Sequence, residues 1–294
     1  MTCLSGVLAR AGFPRIGPTA HYTGYVWARN GLSHPELETR EGRVLFDSLQ
    51  PWMLASRATG GATLEAYLLA RHRAIDFLLE QAIERDGVSQ VIEVASGLSP
   101  RGWRFTQRYG DRLVYVEADL PEMAARKRAA LERMGSLGEH HRVAQVDALR
   151  GDDGPGSLAA IVARLDTGHG LAIITEGLLG YLSTDAVEGL WRRFAATLGA
   201  FPSGRYISDV HLGGALTAQV RVFRVMLSAF VRGRVYLHFS DAPEAEAALV
   251  AAGFGAARVT PAADVAGDDH RERGSRLANI LEASINLPPE ASTA

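Results

Sequence analysis

Cysteine is all but missing from this chain: Cys3 is the only one among 294 residues. A single thiol excludes an intrachain disulfide and a zinc site built on cysteines. Lysine is equally scarce, Lys127 being the only one, and no long run of basic residues occurs. With a formal net charge of −2, electrostatics argue against a nucleic-acid partner and against an anionic membrane surface. No apolar run approaches the roughly 20 residues that span a bilayer. The first residues lack the charged-then-apolar pattern of a secretory signal, so a cytoplasmic protein is expected. Metal ligands are not clustered either: Asp209-x-His211 is a pair without companions. Apolar bulk, in contrast, is plentiful. Hydrophobic residues make up 47% against 22% charged, enough for one large domain or a domain with an added cap.

From about Gln90 short β-branched apolar runs alternate with longer helical stretches. The runs are Gln90–Ser96, Leu113–Asp119, His141–Asp147, Leu171–Gly177 and Arg205–His211, with weaker ones near Ala257–Ala262 and Asn279–Ile285. Helical periodicity covers Pro121–Met134, Leu158–Leu165 and Thr184–Leu198, the last behind a Ser183 cap. Strands joined by helices imply an α/β fold with a mainly parallel sheet. Ahead of it, Ala66–Glu84 predicts one amphipathic helix, with Leu68, Leu69, Ile75, Leu78, Leu79 and Ile83 at helical spacing. These features divide the chain into an N-terminal helical cap (1–88), an α/β domain (89–286) with a helical insertion (214–240), and a tail (287–294). Within the insertion, Ala215–Val231 reads as helical, and Phe223–Phe230 is a candidate lid facing Tyr22, Tyr25 and Trp27.

Chemistry concentrates at the strand ends. Directly after the first strand comes Glu93-Val-Ala-Ser-Gly-Leu-Ser-Pro-Arg-Gly102, a small-residue turn that lets the backbone approach a ligand closely. Gly97 has no G-x-G-x-x-G partners, which disfavours a nicotinamide-dependent oxidoreductase. The second strand ends in Glu117-Ala-Asp119. Alternation puts both acids on one face, where either could accept hydrogen bonds from ribose hydroxyls or merely cap the next helix. The third ends in Asp147-Ala148 and the fourth in Glu176-Gly-Leu-Leu-Gly-Tyr181. Polar residues at four successive strand ends line the crevice where such sheets bind ligands.

The blocks RHRAIDFLL (Arg71–Leu79), VIEVASGL (Val91–Leu98), YVEADLPEMAARK (Tyr115–Lys127) and ITEGLLGYLS (Ile174–Ser183) resemble the leucine carboxyl methyltransferase family, including its bacterial secondary-metabolism branch. The resemblance implies a Rossmann-like methyltransferase fold, a seven-stranded sheet with its last strand antiparallel, and S-adenosylmethionine as methyl donor. Carried over, Arg71 holds the donor's carboxylate, and Ala95 and Gly97 form the turn beneath it. Asp119, with Glu117 as the alternative, takes the ribose. Asp147 and Ala148 lie by the adenine, Glu176 meets the amino-acid end, and Tyr181 faces the substrate. The family's turn has glycine where Ala95 sits, and a methyl there is tolerable if the backbone keeps φ negative. Lys127 matches the family block and is equally readable as part of a solvated helix face.

The implied reaction is methyl transfer to an oxygen of a small acidic or phenolic molecule. A carboxylate needs no base, whereas a phenol near pKa 10 benefits from one, for which His211 is the candidate. Arg29 and Arg101 could receive an anion. A protein C-terminal carboxyl methyltransferase and a non-catalytic donor-binding protein are the alternatives.

Overall fold

A computed structural model describes residues 17–58, 63–214, 236–265 and 276–286. Strands β1 (Val88–Val94), β2 (Val114–Asp119), β3 (His141–Gln145), β4 (Gly170–Thr175), β5 (Gly204–Val210), β6 (Ala256–Pro261) and β7 (Asn279–Ile285) form one sheet in the order β3-β2-β1-β4-β5-β7-β6. All neighbours are parallel except β7, which runs antiparallel to β5 and β6. The order reverses between β1 and β4, and at that switch point a parallel sheet opens a crevice outside its carboxyl edge.

Helices α1 (Gly17–Arg29), α2 (Arg40–Ala58), α3 (Leu64–Arg85), α4 (Arg101–Tyr109), α5 (Pro121–Arg133), α6 (Leu158–Val162), α7 (Thr184–Leu198), α8 (Ala242–Ala251) and α9 (Ala262–Val265) surround the sheet. Strand alternation divides the core between two faces. Ile92 and Val94 of β1 pack with Trp191 and Phe194 of α7, while Val91 packs with Ile75 and Leu79 of α3 and Phe105 of α4. All six residues of β4 are buried, as expected of a strand covered on both sides. Helix α7 starts where the sequence predicts, with Ser183 Oγ accepting from Ala186 N. Helix α3 begins two residues earlier than its periodicity indicates, because Thr63 Oγ1 accepts from Ala66 N and caps it there.

The segment around Ala215–Val231, with the candidate lid Phe223–Phe230, lies outside the described residues, as does the tail. No helix among the described residues is long and apolar enough to cross a membrane.

Candidate active site

The turn after β1 sets the floor of the crevice. Gly97 has φ +51° and Ala95 has φ +55°. The condition under which a methyl is tolerated here, a negative φ, is not met: Ala95 takes the left-handed conformation. The conformation costs a non-glycine residue roughly 1–2 kcal/mol. Ala95→Gly should therefore stabilise the fold by about 1 kcal/mol, once glycine's larger loss of chain entropy is offset. Denaturant unfolding measures this, and a destabilised variant would contradict the geometry at Ala95.

Asp119 closes β2. One carboxylate oxygen accepts from Gly97 N at 2.7 Å and the other from Leu120 N at 2.7 Å. Burial pushes its pKa up, against the pull of these two amides. Glu117, the alternative ribose acid, is 0% exposed. It meets the Lys127 ammonium and His141 Nε2 beneath α4, where a side-chain carbon on Gly102 would overlap its carboxylate. No surface of Glu117 is left for a ribose, and Asp119 remains the acid at this edge. Lys127 is likewise fully buried and not part of a solvated face, its ammonium donating to Ser99 O at 2.6 Å.

Beside the turn lies a buried ion network that the sequence analysis missed. Arg101, 0% exposed, donates to Asp76 at 2.6 Å, Glu93 at 2.5 Å and Glu176 at 2.6 Å. With three carboxylates around it, it cannot receive a substrate anion as expected. Glu176 also accepts from Arg71 Nε at 3.0 Å and from His72 Nδ1 at 2.9 Å. Burial alone would raise the Glu176 pKa, but His72, Arg101 and Arg71 hold it well below the usual range. Arg71 reaches Asp209 at 3.2 Å, and Asp209 accepts from Gly177 N at 2.6 Å. Arg71, Glu176 and Asp209 thus join the ends of β4 and β5 to α3. Tyr115 donates to Glu93, whose pKa burial raises. The one sequence signal for this network is charge inside apolar strands: Glu93 lies between isoleucine and valine and Glu117 between valine and alanine, and buried acids need partners.

Apart from Arg29, the remaining candidates follow the carboxyl ends of β3, β4 and β5. Asp147 Oδ1 accepts from Leu149 N in the turn after β3, and Ala148 O accepts from Arg193 of α7. Tyr181, in a 3-10 turn after β4, donates to Thr19 Oγ1 at 3.1 Å, and burial raises its pKa. Helix α1 therefore lies across the site: a Cβ on Gly97 would stand 3.4 Å from Ala20 Cβ, and one on Gly24 would stand 3.0 Å from Leu98 Cβ. His211 follows β5, with Nε2 at 3.1 Å from the Tyr67 hydroxyl. Arg29 is exposed on α1 near Glu65 and over the Phe46 ring, away from these groups. Among the described residues no group of three His, Cys, Asp or Glu side chains could hold a metal ion.

Residues 38–195, more than half of the chain, match the family model described as leucine carboxyl methyltransferase. The chain belongs to the leucine carboxyl methyltransferase family. A Frankia alni protein is 34% identical over 129 residues, 44% of this chain and 43% of that one. One from Streptomyces avermitilis is 37% identical over 138 residues, 46% of this chain and 45% of its own length. Both are named as candidate S-adenosyl-L-methionine-dependent methyltransferases. The chain thus spans about half the length of the curated relatives it matches. Among solved structures, a candidate methyltransferase from Thermobifida fusca superposes with a TM-score of 0.62 at 16% identity, covering 96% of this chain and 98% of that one. A DUF574 family protein from Streptomyces avermitilis gives 0.59 at 15%, covering 92% and 97%. At these identities the likeness is one of fold, and it extends over nearly the whole of each chain.

Proposed function

We propose that this protein is an S-adenosylmethionine-dependent methyltransferase acting on an oxygen of a small acidic or phenolic molecule, within secondary metabolism. The observation that carries the proposal is the convergence, at one switch point, of the turn at Ala95 and Gly97, the acid Asp119 and the Arg71–Glu176–Asp209 cluster, in a chain of this family. The crevice suits the donor. Gly97 permits close backbone approach, and the buried Ser96 hydroxyl beside it has no hydrogen-bond partner among the described residues. Arg71 spends Nε and one terminal nitrogen on Glu176 and Asp209, so its other terminal nitrogen can donate to the donor's carboxylate. Glu176 would meet the amino-acid end, Asp119 the ribose hydroxyls, and Asp147 with Ala148 the adenine.

Bound S-adenosylmethionine supplies a methyl group on a sulfonium, already electrophilic. The chain's task is then alignment and exclusion of water: the acceptor oxygen must come within about 3 Å of that methyl. Tyr181 is placed to orient the acceptor once its hydroxyl leaves Thr19, and α1 covers the crevice against solvent. The test is calorimetry with S-adenosylmethionine, followed by transfer of a labelled methyl group to panels of carboxylic acids and phenols. A methyl ester releases its label in mild base and an aryl ether keeps it, so the product names the oxygen. Folded protein that binds no S-adenosylmethionine would overturn the proposal.

A further inference from the structure

Ala95 and Gly97 hold left-handed φ values of +55° and +51° within one turn, and the methyl on Ala95 makes that conformation costly. Such strain persists only where the surrounding structure imposes it. Asp119 grips the turn from β2, accepting from Gly97 N at 2.7 Å. The opposite grip comes from Lys127 of α5. Its ammonium has three hydrogens to donate and three partners: Ser99 O at 2.6 Å, Gly97 O at 3.4 Å and the Glu117 carboxylate. Lys127 and Glu117 are both 0% exposed, so water does not compete for these contacts. A buried ion pair adds little stability in itself, because desolvation offsets much of its attraction. What the lysine adds that an apolar residue could not is a set of donors aimed at two carbonyls of the turn. The Gly97–Leu98 peptide is trans, so fixing its carbonyl against the ammonium turns the Leu98 N–H the other way.

We propose that Lys127 is a positioning residue for the methyl donor: it holds the Gly97–Ser99 turn in the conformation that receives S-adenosylmethionine, and touches no ligand itself. The hold on the turn is a property of this chain alone; its effect on the donor rests on the methyltransferase proposal. Glu117 has the lesser part of balancing the buried ammonium. The two residues are therefore separable. Losing the carboxylate costs stability but leaves the carbonyl contacts, whereas losing the amine frees the turn.

Lys127 is the chain's only lysine, so protein labelled with 15N at the lysine Nζ gives a single side-chain signal. That signal should move when saturating S-adenosylmethionine is added to the wild type. Calorimetry should find Glu117→Gln, whose lysine nitrogen still has donors for both carbonyls, within about twofold of wild-type affinity. Adding Lys127→Met to Glu117→Gln leaves neither charge of the pair without its partner. Once folded, this double variant should bind about tenfold more weakly than Glu117→Gln alone. A merely structural lysine would lower the melting temperature of the double variant and leave its affinity at the Glu117→Gln value, which overturns the proposal. So does an unmoved lysine signal in donor-saturated wild type, the deciding measurement should the double variant not fold. If the wild type binds no S-adenosylmethionine, the methyltransferase proposal falls and hydrogen exchange decides the rest. The Gly97 amide should exchange faster in the double variant than in Glu117→Gln, and equal rates would remove Lys127 from the turn.

Discussion

Replacing Arg101 with methionine will destabilise the folded chain by about 3–5 kcal/mol, the usual cost of removing one partner from a buried ion cluster. The side chain is of similar length and apolar, so the loss comes from charge and not from a cavity. Asp76, Glu93 and Glu176 would be left facing an apolar side chain, with Arg71 and Arg104 as the remaining arginines beside them. Denaturant unfolding near pH 7 gives the magnitude, and a loss under about 1 kcal/mol would mean that the cluster is wetter than its burial indicates. The pH dependence adds a second signature. Burial raises the Asp76 and Glu176 pKa values, yet His72 and the surrounding arginines bring both below the ordinary value. Their stabilisation is thus full above the unfolded carboxyl pKa near 4 and is lost as pH falls through the lowered values. Without Arg101 the burial of Asp76, Glu93 and Glu176 weighs more heavily against their charged forms, so the variant should lose less stability than the wild type on mild acidification.

Asp119→Ala will weaken S-adenosylmethionine binding by about 1–3 kcal/mol, or roughly 5- to 150-fold, as expected on losing hydrogen bonds to a charged acceptor. Asp119 also holds Gly97 N and Leu120 N, so part of the loss reflects a loosened turn. Asp119→Asn separates the two contributions, because its carbonyl still accepts from one of these amides. Calorimetry well below each variant's melting temperature is the measurement. Native affinity in folded Asp119→Ala would remove this carboxylate from the ribose site, and Glu117, sealed beneath α4, could not replace it.

How much of this was legible in the sequence differs between backbone and site. The strands were legible because β4 and its neighbours are short apolar runs bounded by turn residues. Helix α5 was legible because Pro121 occupies its first turn, where the missing amide costs nothing. The ion network was not. Arg101 meets Asp76 from 25 positions away and Glu93 from 8, and nothing in their spacing distinguishes such residues from solvated charges. Tyr67 and His211, 144 positions apart, meet only because β5 lies beside α3. The conformation at Ala95 escaped for another reason: a side chain reports its preference, but the turn after β1 overrode it.

Lys127 carries one consequence for work at the bench. It is the chain's only lysine, and its amine lies sealed between Glu117 and the carbonyl of Ser99. In the folded protein, acylating reagents and lysine-directed enzymes would find no side-chain amine to modify. Arginine alone would supply tryptic cleavage sites, and surface coupling through amines would depend on the amino terminus. Acylation of Lys127 would consequently count excursions in which α5 parts from the sheet, a single-site clock for that opening written into the chain's own composition.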